Sequence, residues 1–165
     1  MRKLFFLAIL SLCFIQASYS QEWIKFTSVE GHFSVLFPSE PRTQSDTSTT
    51  YPTYITKLFL SKDKADLFAV GWVDYESSYI FDDQKELEAN RDNFLKGING
   101  TLVLTRNIEF KGYKGLEFSA KTDSYFWTSK VFIVGRRPYQ LLTGGSKGTA
   151  SENENKFFDS FSINK

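Results

Sequence analysis

From Thr101 to Thr143 apolar and polar residues alternate in four runs, parted by turns of no more than four residues. No other feature limits the fold as strongly. A run of period two is a strand with one face buried. Turns this short cannot carry the crossover of about a dozen residues that a parallel pair needs, so the strands form an antiparallel meander. The runs are Thr101–Phe110, Tyr113–Thr122, Tyr125–Val134 and Tyr139–Thr143. Lys111-Gly112, Asp123-Ser124 and Gly135-Arg136-Arg137-Pro138 supply the turns. Leu102, Leu104, Arg106 and Ile108 are expected on one side of the first run, and Leu116, Phe118 and Ala120 on one side of the second.

The same pattern extends upstream. Phe33, Val35 and Phe37 alternate up to Pro38. Two further strands are expected over Tyr54–Leu60 and Leu67–Tyr75, where Phe68, Val70 and Trp72 share a face. The polar stretch Ser39–Thr53 reads as a surface loop, and Ser61–Asp66 as a hairpin loop. Two segments carry helical signals. Asp83 with Glu86 three residues on fits a capping pair, and Leu87, Phe94, Leu95 and Ile98 follow at helical spacing. Gly97 or Gly100 can end that helix. Ser151 and Glu154 repeat the capping pattern ahead of Phe157, Phe158 and Phe161. The fold class is therefore α+β, one largely antiparallel sheet with two helices packed against it.

Residues 1–20 stand apart from this pattern. Arg2 and Lys3 precede an apolar run from Leu4 to Ile15, and Ser18-Tyr19-Ser20 places small residues ahead of Gln21, as in a secretory signal peptide. The run falls short of the roughly 20 apolar residues of a membrane-spanning helix. Cys13 follows Leu12 inside the apolar run, which argues against lipidation. Cleavage after Ser20 is expected to leave residues 21–165 as one domain, secreted or periplasmic and without a membrane span. The only Met and the only Cys, Met1 and Cys13, leave with the signal. The remainder then has no disulfide to staple it and no thiol to act as nucleophile or metal ligand. It must stand on its core, for which the 14 Phe, 7 Tyr and 3 Trp that remain provide material. Lys+Arg 20 against Asp+Glu 19 gives no basic excess, so no nucleic-acid partner is expected.

The stretch Trp23-Ile24-Lys25-Phe26-Thr27-Ser28-Val29-Glu30-Gly31-His32-Phe33-Ser34-Val35-Leu36-Phe37-Pro38-Ser39-Glu40-Pro41 resembles the opening of small exported bacterial domains that read W-x-x-F-x-S-x-E-G-x-F-S-V-x-F-P-x-x-P. Phe157-Phe158-Asp159-Ser160-Phe161 resembles their close, and Gly112 to Glu117 their glycine-marked central hairpin. Such domains are similar in fold to the PsbP extrinsic subunit of photosystem II and to a small eukaryotic Ran-binding import factor. The resemblance implies an α/β/α sandwich around one largely antiparallel sheet. It carries no site residue over to this chain.

Chemistry-bearing patterns are few. Gly144-Gly145-Ser146-Lys147-Gly148 matches G-x-S-x-G between an expected strand and an expected helix. A hydrolase of that kind needs a His after the Ser, and the single His, His32, lies far upstream. The segment reads instead as a flexible connection, with Gly144, Gly145, Ser146 and Lys147 kept as a candidate anion-binding loop at a helix start. Ser61 and Lys64 satisfy S-x-x-K without its companion motifs. Asp74, Glu76, Asp82 and Asp83 have no calcium-loop spacing, and neither a metal nor a cofactor is expected.

Tyr125 and Trp127 on one strand, with Arg136, Arg137 and Tyr139 on the next, form the candidate binding patch, since Trp, Tyr and Arg dominate interface hot spots. The expected function is that of an exported, non-enzymatic domain. It binds a protein of the envelope or the extracellular space, or helps assemble an envelope complex. The alternative is a small-ligand domain with an aromatic-lined pocket between sheet and helix. A Ser146-dependent hydrolase comes third.

Overall fold

The computed structural model describes residues 22–146 and 152–164. The expected signal peptide, Lys147 and the capping Ser151 lie outside them. In chain order the elements are β1 (Ile24–Ser28), β2 (Phe33–Phe37), β3 (Arg42–Ser48), β4 (Tyr54–Asp63), β5 (Asp66–Tyr75), α1 (Asp83–Ile98), β6 (Thr101–Phe110), β7 (Tyr113–Lys121), β8 (Phe126–Val134), β9 (Arg137–Gly145), α2 (Glu152–Ser160) and β10 (Ser162–Ile163). Seven strands form a sheet in the order β3-β4-β5-β9-β8-β7-β6, with every neighbouring pair antiparallel. The meander β6–β9 is present as the turn lengths require, and β9 joins it to β5.

A second sheet, β1-β2-β10, corrects the expectation of a single one. β1 shows no clean alternation because most of its side chains are exposed, and β10 contributes only two residues. Three local expectations also change. The Ser39–Thr53 loop contains β3, an edge strand whose side chains are exposed from Arg42 through Thr47. A strand with no buried face needs no apolar alternation, and a polar, charged edge discourages pairing with other chains. The β4–β5 ladder runs on to Asp63 opposite Asp66, which shrinks the hairpin loop to Lys64-Ala65. Ser61 is thus a buried strand residue, donating to the Ser39 carbonyl at 2.9 Å and accepting the Ser39 N–H at 3.2 Å. Asp82, not Asp83, caps α1, accepting the Lys85 N–H at 3.0 Å. That helix closes on Asn99 in the left-handed region (φ 50°), with the Gly100 N–H donating to the Leu95 carbonyl at 2.9 Å.

Directly opposed residues of an antiparallel ladder point the same way, so the register sorts the core into two faces of the large sheet. On one face Phe59, Phe68, Val70, Trp72, Phe132, Tyr139 and Leu141 pack with Phe33, Val35 and Phe37 of β2. Phe157 and Phe158 of α2, and Phe161 just after it, complete that cluster. On the other face Leu116, Phe118, Val131 and Ile133 pack with Leu87 and Phe94 of α1. In β6 the register shifts between Leu102, opposite Ala120, and Leu104, opposite Ser119. The extra residue, Val103, reverses the parity there. Leu102 therefore lies on the α1 face while Leu104, Arg106 and Ile108 lie on the other, which corrects the expectation that all four share a side.

Candidate functional site

The five residues of the expected patch do not form one surface. Tyr125 and Trp127 belong to the α1 face. Arg137 and Tyr139 belong to the opposite one, in register with Val134 and Phe132. Trp127 lies edge-on to Phe94 with centroids 5.8 Å apart, and tilted against Tyr125 at 5.6 Å. Arg137 donates from Nε and Nη2 to the two oxygens of Asp74, both at 2.5 Å, and from Nη1 to the Glu30 carbonyl at 2.9 Å. Its guanidinium sits 4.6 Å over the Trp72 ring. Tyr139, 2 % exposed, donates its hydroxyl to the Gly31 carbonyl at 2.9 Å. Arg137 and Tyr139 thus clamp the β1–β2 turn onto β9. Arg136 is exposed and donates to the Tyr79 carbonyl.

Exposed apolar residues also gather at one end of the large sheet, on both of its faces. Thr101 pairs with Lys121, which pairs with Phe126, so the start of β6 and the start of β8 lie at one end of the sheet. Leu102, Val103, Leu104, Tyr125 and Phe126 meet solvent there, between 37 % and 57 % exposed. Val103 is placed by the bulge, a feature that alternation alone does not reveal.

Of the candidate anion loop, Gly144, Gly145 and Ser146 are described and Lys147 is not. Gly144 and Gly145 are strand residues of β9. Gly144 is small because the Trp127 ring lies over it, 2.4 Å from where a Cβ would stand. A Cβ on Gly145 would meet Asp66 Oδ1 at 2.5 Å, so a carboxylate adjoins the place proposed for an anion. Ser146 is exposed just beyond β9, whereas exposed His32 sits in the β1–β2 turn held by the first residues of β9. The length of a nine-residue strand, roughly 27 Å, separates those two ends. No Ser–His pair forms. Among the described residues no group of three His, Cys, Asp or Glu is placed to hold a metal ion.

The chemistry gathers in a cleft of about 330 Å³ between β4, β5 and the first turns of α1. Tyr54 and Tyr75 face each other across the β4–β5 ladder, with rings 6.0 Å apart and nearly perpendicular. Tyr79, on the segment leading into α1, brings its ring to 4.9 Å from that of Tyr75, and Phe81 lies 5.6 Å from the same ring. The Asp82 cap starts α1 so that Glu86, one turn in, points back at this cluster. Glu86 is only 7 % exposed. Its Oε1 accepts the Tyr75 hydroxyl at 2.7 Å and the Asn90 amide at 3.0 Å. Among the described residues no donor reaches Oε2. The positive end of the helix dipole favours a carboxylate in this first turn.

Burial, and then the hydrogen bond to Glu86, hold the Tyr75 phenol far above its ordinary value of 10.0. The Tyr139 phenol is raised in the same direction, chiefly by burial. A phenol that ionises later when folded supports the fold fully below its unfolded value and loses that support as the pH climbs past it. The urea midpoint is therefore expected to fall between about pH 9 and about pH 11, and to fall less steeply in Tyr75→Phe. Equal slopes in the two proteins would show that Tyr75 ionises as freely in the folded chain as in the unfolded one.

Sequence reading assigned Glu86 to capping and left Tyr75 as a strand end. The available signal was the density of Tyr75, Tyr79 and Phe81 just ahead of a helix start.

A seven-stranded antiparallel sheet packed with α1 on one face, and with β2 and α2 on the other, invites comparison with solved folds. The solution structure of CyanoP, the cyanobacterial PsbP of Synechocystis sp. PCC 6803, matches with a TM-score of 0.61 over 89 % of this chain and 95 % of that one. The fold is PsbP-like. Sequence identity is 8 %, so the likeness carries the fold and nothing about sites. Neither a family model nor a curated protein matches the sequence. The tyrosine cleft and the apolar end of β6–β8 are thus features of this PsbP-like sheet that its own residues must explain. Among the described residues no helix is long and apolar enough to cross a membrane.

Proposed function

We propose that residues 21–165 form an exported, non-enzymatic accessory domain with the α/β/α layering of PsbP-like folds, which binds a partner protein of the envelope or the extracellular space. The observation that carries this reading is the apolar end of β6–β8. At that end Leu102 and Tyr125 stand exposed on the α1 face and Leu104 and Phe126 on the opposite face, with Val103 at the bulge between them. Exposed apolar side chains concentrated at one end of a sheet mark interaction sites. The separation of Ser146 from His32 supports the non-enzymatic side of the reading.

The test uses the protein expressed with its own N-terminal segment and purified in its exported form. Wild type is expected to recover a stoichiometric partner from envelope extract at physiological salt, and Val103→Glu with Phe126→Ser to recover at least about tenfold less. Both positions are exposed, so the substitutions should leave stability within about 1 kcal/mol. No partner, or equal recovery by the variant, would end the proposal.

The cleft favours a second reading, in which the domain holds a small ligand between α1 and the sheet. Its volume is within the usual range for ligand sites, and three tyrosine rings line it beside Glu86, Asn90, Asn93 and Thr56.

A further inference from the structure

We infer that the cleft beneath α1 is a site for an organic ammonium ion, an alkylamine in its protonated form, whose N–H donates to Glu86 Oε2 while its carbon chain lies against Tyr54, Tyr75 and Tyr79. This inference rests on the second reading above, that the cleft holds a ligand. Four observations set the chemistry. Glu86 is nine-tenths buried and lines the cleft, and only one of its two oxygens is used by Tyr75 and Asn90. That second oxygen has no donor among the described residues and is not sealed off from the cleft, so it is open to a ligand, and a charged N–H satisfies a carboxylate better than a neutral one.

The aromatic rings add to that preference. Phenol rings present electronegative faces and attract cations, most strongly where water is excluded. No Lys, Arg or His lines the cleft, so nothing there offsets the negative potential or receives an anion. The neighbouring basic groups are otherwise engaged. Arg137 is bound to Asp74, and Arg136 to the Tyr79 carbonyl.

A metal ion suits the site poorly. Hard cations take six or more oxygen ligands from clustered carboxylates, and the described residues offer no such cluster. A diffuse organic cation needs one carboxylate and ring faces, which Glu86, Tyr54, Tyr75 and Tyr79 supply. Asn93 and Thr56 at the lining leave room for a further polar contact along the chain.

Three probes that share one carbon chain separate the possibilities: butylammonium, 1-butanol and butyrate. Each is titrated into isotope-labelled exported protein while the backbone amides of Tyr75, Tyr79 and Asn90 are followed by NMR. Butylammonium is expected to shift these amides saturably, with 1-butanol at least about tenfold weaker and butyrate without effect. Glu86→Gln keeps the acceptor shape and removes the charge, and Tyr79→Leu removes one ring. Each is expected to weaken butylammonium by about tenfold, while Tyr113→Leu, on β7, leaves it unchanged. Where Glu86→Gln fails to fold, Tyr79→Leu decides alone. Binding of 1-butanol or butyrate as tight as that of butylammonium overturns the ammonium assignment and keeps the cleft as a ligand site. Silence of these amides to all three probes overturns both.

Discussion

Phe33→Ala is expected to lower the free energy of unfolding by about 3–5 kcal/mol, read from urea denaturation of the purified protein. Phe33 is fully buried and lies where three parts of the chain meet. Its ring is 5.7 Å from that of Phe59 in the large sheet, 6.4 Å from Tyr139, 6.2 Å from Phe26 in β1 and 5.8 Å from Phe161 after α2. Truncation to Ala removes the contacts of all four neighbours, and rings held from four directions cannot collapse into the space. With a total stability of about 5–15 kcal/mol for a domain, one substitution removes a large share of it. Phe33→Leu retains most of the volume and is expected to lose about 1 kcal/mol. A loss under about 1 kcal/mol for Phe33→Ala would mean that β2 and the C-terminal segment are not packed on the sheet as described.

How far the fold could be read ahead of the structure depended on whether a segment buries one face. β5 and β7–β9 bury enough for their apolar positions to be visible, and the short turns then dictated antiparallel pairing. β3 buries nothing and left no pattern, and β1 and β10 buried too little to announce a second sheet. The β6 bulge escaped for a different reason. Leu102, Val103 and Leu104 are all apolar, so the sequence gives no sign of which residue is the extra one. In α1 the competition was between two adjacent acids, and the one placed to accept the Lys85 N–H won the cap.

The sites were harder to read, because they depend on which residues the topology brings together. Tyr125, Trp127, Arg137 and Tyr139 look alike as a sequence set, yet a strand's alternation sends the two pairs to opposite faces. Arg137 and Tyr139 are consumed in fastening the β1–β2 turn, over more than a hundred residues of separation. Glu86 and Tyr75 are only eleven residues apart, but their pairing needs the segment from Glu76 to Asp82 to fold the helix back over the strand it follows. No periodicity encodes that return. Gly144 has a steric reason of its own to be small, since it admits the Trp127 ring.

The same steric logic makes the second large prediction, in which one substitution at two glycines has opposite signs. Gly115 sits opposite Phe132 in the β7–β8 ladder. An added Cβ would stand 2.5 Å from Phe132 Cδ1 and 2.6 Å from the Val131 carbonyl oxygen. The Phe132 ring cannot swing away freely, because Phe110 packs on it at 5.0 Å and both belong to the buried face. The carbonyl is part of the sheet backbone and yields only if the strands part. Gly115→Ala is therefore expected to lose about 2–3 kcal/mol, although Ala by itself suits a strand better than Gly by about 0.5–1 kcal/mol. Gly97, exposed near the end of α1, has nothing within 4 Å of an added Cβ, so only the propensity remains. Gly97→Ala should gain about 0.5–1 kcal/mol. Paired urea curves measure both. A neutral Gly115→Ala would place β7 and β8 farther apart, or Phe132 in another rotamer, and the aromatic face built on that ring would have to be redrawn.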